Sequence, residues 1–233
     1  MADKKRQQRL FSAGTLQFLS ELANHNERSW FEAHKTRYDH DVLVPALEFI
    51  ASMAPRLAKI SKHFVAAPKR TGGSLMRVYR DTRFSKDKTP YKTNIGIQFR
   101  HERGRDVHAP GFYVHVEPGG CFLGAGLWHP DPRALSGIRM EILERPQDWR
   151  KARDHKRFTA RFELGGDSLV RPPRGIPADA PQIEDLKRKD FIAACAIADR
   201  QILKRSFADD VAEHFASTAP LMRFLCGALD LKF

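Results

Sequence analysis

The stretch from Ser74 to Lys92 reads SLMRVYRDTRFSKDKTPYK, and its pattern decides how the middle of the chain folds. From residue 74 to 80 apolar and polar residues follow a period of two, which is typical of a β-strand. The polar run Thr82 to Lys88 predicts a loop. Thr89-Pro90 then predicts an extended turn, because the residue before a proline avoids the helical conformation. The stretch therefore predicts a strand, a polar loop and a return into a second strand.

Three further segments alternate in the same way, at residues 93 to 100, 111 to 117 and 121 to 127. Pro118-Gly119-Gly120 predicts a hairpin turn between the last two. Their alternation of apolar and polar or small residues is typical of half-buried antiparallel strands. We also expect a strand at Phe158 to Leu164 and a buried strand at Phe191 to Ala198.

Helices are predicted on both sides of these strands. Thr15 to Ala23 has leucines at helical spacing, and a second helical run begins near Glu27. Pro45 suits the first turn of a third helix, which we expect Pro55 to kink or end. After the strands, helices are predicted from Asp131 and from Ser206. This order predicts an α+β fold, with a mostly antiparallel sheet flanked by the N-terminal and C-terminal helices.

Length and composition favour one domain. The chain has 233 residues, of which 42% are hydrophobic, enough for one large core. We expect a single domain at residues 11–233 and a flexible basic arm at residues 1–10. No window approaches the roughly 20 apolar residues that span a membrane, so we expect neither a membrane helix nor a signal peptide. The few, widely spaced cysteines predict a reducing cytoplasm, and no motif calls for a cofactor.

Positive charge is concentrated in one part of the chain. The net charge is +12, and residues 67 to 105 hold eleven Lys or Arg against three acids. A local excess of this kind attracts a phosphate-bearing partner more selectively than a uniformly basic surface would. We therefore expect an anionic ligand, with nucleic acid and a phosphorylated small molecule both open.

The predicted binding residues lie in the opening stretch. Arginines three residues apart suit bidentate capture of phosphate or carboxylate, lysines supply point charges, and a tyrosine can stack or donate its hydroxyl. Asp81 and Asp87 would orient these cations or act as a general base. The structural alternative is an Arg/Asp network that fixes the loop without any ligand. The predicted anion-binding residues are Arg77, Arg80, Arg83, Lys88, Tyr91 and Lys92.

One arginine is expected to differ from the others. By strand parity Arg80 shares a side with Met76 and Val78, while residues 77, 79 and 81 share the other. We therefore expect Arg80 to be half-buried or buried and paired with Asp81 or Asp87, because an unpaired buried charge is costly.

A second group of polar residues follows. His115 and Glu117 project from the same face of a strand, and His129 comes a short way later. Two histidines and a carboxylate suit a metal ion. Alternation on a solvent-facing strand explains the pair equally well, so we expect no metal. His115 also joins Asp81 and Asp87 as a candidate proton-transfer group.

These motifs resemble a known family. Arg77-x-x-Arg80-Asp81-x-Arg83-Phe84, followed by Asp87-Lys88-x-x-Tyr91, looks like the signature of a family of bacterial conserved hypothetical proteins, domain-of-unknown-function family 2461. Asn24-x-Asn26-x-x-x-Trp30-Phe31 and the hairpin ending Gly124-Ala125-Gly126-Leu127-Trp128 are similar to family features as well. His25 departs from the expected second asparagine. The resemblance implies that the signature is the functional centre and names no activity.

Two classes of function are open. The first is a binding module for nucleic acid or another phosphorylated partner, and the alternative is an enzyme that acts on a small phosphorylated or anionic substrate. An enzyme needs its cations to converge in a concave pocket that contains a titratable group, whereas a nucleic-acid binder spreads them along an open groove. The shape of the site therefore distinguishes the two.

Overall fold

The computed structural model of the protein describes residues 10–104 and 109–233. The predicted flexible arm at residues 1–10 therefore lies outside the described residues, except for Leu10.

The centre of the fold is a five-stranded antiparallel sheet. Its strands are β1 (Ile95–Arg100), β2 (Gly111–Val116), β3 (Phe122–Leu127), β4 (Glu163–Gly165) and β5 (Phe191–Ala196). They lie in the order β1-β2-β3-β5-β4. Ile97 pairs with Val114, which pairs in turn with Leu123, so the alternating apolar residues of neighbouring strands lie on the same face. This register buries one face and leaves the other for small and polar residues.

Helices cover the buried face. The N-terminal helices are α1 (Ala13–Asn24), α2 (Arg28–Ala33), α3 (Lys35–Tyr38) and α4 (Val44–Ile60), with a π-helical turn at Asp39–Leu43 between the last two. The remaining helices are α5 (Pro132–Glu144), α6 (Pro146–Arg153), α7 (Lys156–Thr159), α8 (Ile183–Leu186), α9 (Asp199–Ile202), α10 (Phe207–Ser217) and α11 (Ala219–Gly227). Phe49 of α4 and Phe215 of α10 both contact Phe99 of β1, with ring centroids 6.4 Å apart in each case.

The core is one connected cluster of buried side chains that extends from Phe11 to Cys226. Its polar members are bonded. The indole nitrogen of the fully buried Trp149 donates to Asp185 at 2.8 Å, and Arg153 and Arg188 also bond to this carboxylate. A buried carboxylate with three such donors keeps its charge without an uncompensated desolvation penalty. The α+β prediction, with a flanked antiparallel sheet, is confirmed.

The segment 74–80 corrects one prediction. It lies extended along the free edge of β1 but forms two isolated bridges, from Leu75 to Ile97 and from Tyr79 to Tyr91, in place of a regular strand. The first bridge belongs to β1 and the second to the returning chain, so the segment changes partner half-way. The predicted alternation holds beyond Leu75, because residues 77, 79 and 81 are exposed while 76, 78 and 80 are half-buried.

One other prediction was wrong, and of the two outcomes predicted at Pro55, a kink or an end of the helix, the end does not occur. The predicted strand Phe158–Leu164 is α7 followed by the short strand β4. Phe158 and Phe162 are both buried with their rings stacked. Apolar residues four positions apart suit a helical turn, and apolar residues two positions apart suit a strand; the sequence contains both spacings, and the helical one determines the structure. Helix α4 also continues through Pro55 to Ile60. Pro55 is exposed, so water can satisfy the carbonyl that its ring leaves without a donor.

Within the described ranges no helix combines the length and the apolar composition that a membrane crossing requires.

The β3 glycines make a matched test of the sheet. Gly126 has φ +122°, and a Cβ there would lie 2.0 Å from the carbonyl oxygen of Phe191, whereas a Cβ at Gly124 would make an ordinary 3.4 Å contact with Tyr113. We expect Gly126→Ala to lower the free energy of unfolding by about 2 to 4 kcal/mol and Gly124→Ala by less than about 1 kcal/mol. Urea unfolding of both variants measures this. Equal losses would contradict the described backbone of β3.

Candidate functional site

The cations of the predicted binding loop are mostly paired within the loop. Arg80 is half-buried and bonds to the carboxylate of Asp87 and the hydroxyl of Thr89, as its parity predicted. Arg83 is exposed and binds Asp81 through two parallel bonds of 2.9 and 2.7 Å. These pairs match the structural alternative, in which arginines and aspartates fix the loop.

The same contacts affect the two aspartates that were candidate bases. Two bonds from Arg83, first from its side chain and then from its backbone, lower the pKa of Asp81 to about 2. The pKa of Asp87 is also about 2, chiefly because the backbone N–H of Thr89 donates to it and then because Arg80 does. A carboxylate held this firmly in its charged form is a weak base at neutral pH. The structure therefore gives neither aspartate the properties of a general base.

Tyr91 was predicted to contact the ligand, and the structure places it in the core instead. It is 2% exposed, and its ring stacks on Phe31 with the centroids 4.1 Å apart. The Asn26 side chain holds the Tyr91 backbone through two bonds, of 2.9 Å to its carbonyl and 3.0 Å from its N–H. Apolar neighbours on α2 thus determine the position of Tyr91, and the aromatic ring that the loop exposes is Phe84, 95% exposed.

The other predicted cations divide into two groups. Lys88 is exposed and donates to the backbone carbonyl of Thr82 at 2.9 Å, so it helps to close the loop. Arg77 is exposed and Lys92 is half-buried, and neither side chain has a hydrogen bond or ion pair within the described residues. Burial lowers the pKa of Lys92, and the nearby positive charge of Arg77 lowers it further. An anion beside Lys92 would relieve both effects.

Lys92 lies at the wall of a groove on the outer face of the sheet, with a volume of about 500 Å³. We call this the outer-face groove. Its floor consists mainly of residues without bulky side chains, namely Gly111, Gly124, Ala125, Gly126, Ala193 and Ala194, and Ile192 lies opposite Gly126. Its walls include Met76, Lys92, Gln98, Tyr113, Phe122 and Trp128. Ligand pockets commonly have this volume and combine apolar surface with a few polar groups.

Gly96 on β1 leaves room for the side chain of Tyr113. Gly96 faces Tyr113 and Met76, and a Cβ at residue 96 would lie 2.8 Å from the Tyr113 hydroxyl. The Tyr113 side chain therefore extends across β1 over Gly96. Burial raises the pKa of this phenol to about 12, with a smaller contribution from the negative charge of Glu117.

The Tyr113 hydroxyl begins a chain of hydrogen bonds. It lies 3.2 Å from Nδ1 of His115, and Nε2 of His115 lies 2.9 Å from a carboxylate oxygen of Glu117. The other oxygen of Glu117 accepts from the hydroxyl of Thr93 at 3.3 Å, and the Asn94 amide nitrogen lies 3.4 Å from His115 Nδ1. Because His115 and Glu117 alternate with the buried residues of β2, the prediction that both lie on one face is confirmed. We call Tyr113, His115 and Glu117 the relay.

The ring of His115 is held from the side as well. It stacks on Phe122 of the neighbouring strand, with the centroids 4.6 Å apart and the planes 17° apart. The two residues are direct partners in the register of β2 and β3. The ring can therefore turn little, and its two nitrogens keep their separate partners.

His129 lies far from this pair, so the metal triad considered above does not form. It follows the opposite end of β3, where Asp190 accepts its backbone N–H at 2.7 Å and lies 3.4 Å from its ring nitrogen. Across residues 10–104 and 109–233, no three potential metal-binding side chains of His, Cys, Asp or Glu are grouped together.

A second cavity, of about 380 Å³, lies between α4 and α10. Arg56 bonds to Asp209 at 2.7 Å across it, and Lys59 is the one further charged residue among the described residues of its lining, which offers no aromatic surface and fewer small residues than the outer-face groove. We therefore regard the outer-face groove as the candidate functional site.

Comparison with known proteins identifies a family. The family described as "Conserved hypothetical protein (DUF2461)" matches residues 14–224. The chain belongs to this family. No curated protein and no solved structure matches it. The match covers the loop, the groove and the relay of this DUF2461 chain together.

Sequence reasoning missed much of the groove in this DUF2461 protein. It did not single out Tyr113, Asn94, Thr93 or Trp128. Two signals were available. Glycines occupy outward positions of β1, β2 and β3 where polar residues are usual, which marks a close approach by another group. Tyr113 also has the same parity as His115 and Glu117, so all three had to share a face.

The paired arginines predict different effects on stability. Arg80→Ala removes bonds from a half-buried cation to Asp87 and Thr89, so we expect the free energy of unfolding to fall by about 1 to 2 kcal/mol. Arg83→Ala is the control, because its exposed pair with Asp81 is screened by solvent and its loss should leave the urea midpoint unchanged. Equal effects of the two substitutions would contradict the described loop.

The pKa of Asp87 provides a test in acid. Since its folded value of about 2 lies below the ordinary 3.8, its contacts stabilise the protein above pH 4 and lose this effect as the pH falls toward 2. We expect carboxyl-carbon NMR to give a midpoint near 2. Arg80→Gln should raise the midpoint while leaving it below 3.8, because the larger contribution of the Thr89 N–H persists. A midpoint near 3.8 in the unmodified protein would rule out these contacts.

Proposed function

We propose that the protein binds a small anionic ligand, such as a phosphorylated molecule with a flat apolar body, in the outer-face groove. Lys92 and Arg77 bind the anionic group, and the body lies on the glycine and alanine floor. The observation that carries this proposal is the half-buried Lys92 side chain without a partner among the described residues, at the wall of a groove of about 500 Å³.

The electrostatics of Lys92 support an anion. Removing an ammonium group from water is unfavourable unless a counter-charge or hydrogen bonds replace the water. Arg80 and Arg83 have such counter-charges in Asp87 and Asp81, whereas Lys92 has none within the described residues. A bound phosphate or carboxylate would supply it, and Arg77 would add a second positive charge.

The shape of the groove supports a flat apolar body. The floor carries no side chain larger than a methyl group over Gly124, Gly126 and Ala194. Aromatic rings stand at its two ends, with Phe122 beside Tyr113 at one end and Trp128 at the other. Trp128 is 51% exposed, so its indole is available to a ligand. Aromatic walls over a floor of small residues suit a ring or another flat group.

The groove favours a small molecule over nucleic acid. Nucleic-acid binding needs cations spread along an open surface, and it gains affinity from each free phosphate contact. In the loop, Arg80 and Arg83 are bonded to aspartates and Lys88 to a backbone carbonyl. The exposed Phe84 is the feature that still suits stacking on a base, so an oligonucleotide serves as the contrasting ligand below.

We also propose that the protein functions in a reducing cytoplasm. Cys121, Cys195 and Cys226 are free thiols. Burial raises the pKa of each, which makes them unreactive members of the fold. Free thiols that are buried, as at Cys121 and Cys226, or half-buried, as at Cys195, are usual where disulfides do not form.

Calorimetric titration with phenylphosphonate, an uncleavable analogue of phenyl phosphate, tests the binding site. Lys92→Met removes the charge but keeps an apolar chain of similar length, and we expect it to weaken binding by roughly tenfold or more, since a charged hydrogen bond contributes about 1.5 to 3 kcal/mol. Lys88→Met is the matched control, because it makes the same change in the loop and should leave the affinity unaltered.

Two results would count against the proposal. Equal weakening by Lys92→Met and Lys88→Met would mean that general charge attracts the ligand. Tight binding of a single-stranded oligonucleotide that depends on Lys88 and is steeply weakened by salt would assign the function to the loop instead.

A further inference from the structure

We propose that the outer-face groove is a catalytic site that cleaves phosphate esters, with Tyr113 as the nucleophile and His115 as its base. This inference rests on the proposed function, because Lys92 and Arg77 must first hold the phosphate group. It adds a reaction and a reacting atom to what would otherwise be a binding site. The relay supplies the geometric basis.

The hydrogen bonds of His115 set the direction in which a proton can move. An ionised carboxylate only accepts, so Nε2 of the neutral ring must carry the hydrogen that points to Glu117, 2.9 Å away. Nδ1 then carries the lone pair. The Asn94 amide nitrogen is a second donor near this lone pair, at the longer distance of 3.4 Å. The Tyr113 hydroxyl therefore donates to Nδ1 at 3.2 Å, and His115 is placed to take its proton.

Glu117 stabilises the charge that this transfer creates. When Nδ1 accepts a proton the ring becomes an imidazolium, and Glu117 is the carboxylate bonded to its other nitrogen. Thr93 holds the second oxygen of Glu117, and the stacked Phe122 fixes the ring plane. Glu117 and Thr93 are positioning residues, since they act through His115. A nucleophile, a base and a group that orients the base form the arrangement by which enzymes activate a hydroxyl.

Tyr113 is the candidate nucleophile that the groove contains. Among the described residues that line it, no serine, threonine, cysteine, aspartate, glutamate or histidine is present, and Tyr113 is the one with a hydroxyl. Its pKa of about 12 keeps the resting phenol protonated. An adjacent base removes this obstacle by taking the proton during the attack, as it does for alcohols, whose hydroxyl is a still weaker acid. Cys121 is buried and bonded to the carbonyl of Glu117, outside the groove lining.

The reaction has two steps. In the first, Tyr113 Oη forms a bond to phosphorus as the bond from phosphorus to the ester oxygen breaks. The Tyr113 proton passes to His115 Nδ1, and the leaving oxygen, which lies on the opposite side of phosphorus, departs as an oxyanion and takes a proton from water. In the second, water attacks phosphorus from the side that the leaving group has vacated and gives up a proton to the solvent, while the tyrosine oxygen leaves and recovers its proton from His115 Nδ1. The products are the alcohol and inorganic phosphate, and Tyr113 and His115 return to their starting state.

Two probes separate this inference from the proposal of a binding site. Phenylphosphonate, which has no ester bond to cleave, measures binding by calorimetry, and 4-nitrophenyl phosphate measures turnover by the absorbance of the nitrophenolate released. We expect the full chain to turn over 4-nitrophenyl phosphate. Acid quenching during turnover should trap phosphotyrosine, which peptide mass spectrometry should locate at residue 113.

Variants assign the roles. Tyr113→Phe should bind phenylphosphonate with the affinity of the unmodified chain but lose turnover and the trapped phosphotyrosine. Glu117→Gln should lower kcat by roughly a hundredfold, since it weakens acid–base catalysis, and leave KM unchanged. A structural role alone would not separate kcat from KM in this way. Tyr79→Phe is the control, because Tyr79 is exposed and lies outside the groove lining, and it should keep full turnover.

The results that would contradict the binding site differ from those that would contradict only the catalytic role of Tyr113. If phenylphosphonate does not bind, both the proposed function and this inference fail. If it binds in a manner that depends on Lys92, but 4-nitrophenyl phosphate is not cleaved or Tyr113→Phe cleaves it as fast as the unmodified chain, the binding site stands and the catalytic role of Tyr113 is overturned.

Discussion

The Tyr113 side chain can lie across β1 because residue 96 has no Cβ. A Cβ there would lie 2.8 Å from the phenol oxygen and 3.0 Å from the sulfur of Met76, closer than side chains normally approach. The position of the hydroxyl determines its bond to His115, and this bond in turn determines which nitrogen of His115 carries a hydrogen. On β3, Gly124 and Gly126 also lack side chains, and they form part of the groove floor. The outer face of the sheet is thus concave at a place where side chains would cover a sheet of ordinary composition.

The groove changes the interpretation of the lysines and arginines in the middle of the chain. The concentration of lysines and arginines between residues 67 and 105 suggested that the loop after residue 80 binds the ligand. Pairing changes that interpretation, because a cation bonded to a neighbouring carboxylate adds little attraction for a distant anion. Arg80 and Arg83 fix the shape of the loop, and the loop returns the chain to Lys92 at the wall of the groove. In the proposed site, the loop therefore has a positioning role and Lys92 provides the charge.

The sequence predicted the fold more fully than the candidate site. Strand alternation identified β1, β2 and β3 and the outward direction of His115 and Glu117, because burial on one face imposes the period of two. It could not show that the segment 74–80 changes partner half-way, since both pairings have the same alternation. Tyr91 was misplaced because an aromatic residue in a basic loop has the same local pattern whether it meets a ligand or stacks on Phe31. The groove was missed because it depends on glycines from three strands, whose register only the fold establishes.

The position of the ligand is the most direct test of this account. Backbone amide NMR spectra of the full chain, recorded during titration with phenylphosphonate, report which residues sense the bound molecule. The account predicts that the largest shifts belong to Lys92 and to the groove-facing positions of β2, β3 and β5, with small shifts at residues 81 to 88. Largest shifts at residues 81 to 88, with β2 and β3 unaffected, would contradict the claim that the functional centre is the outer face of the sheet.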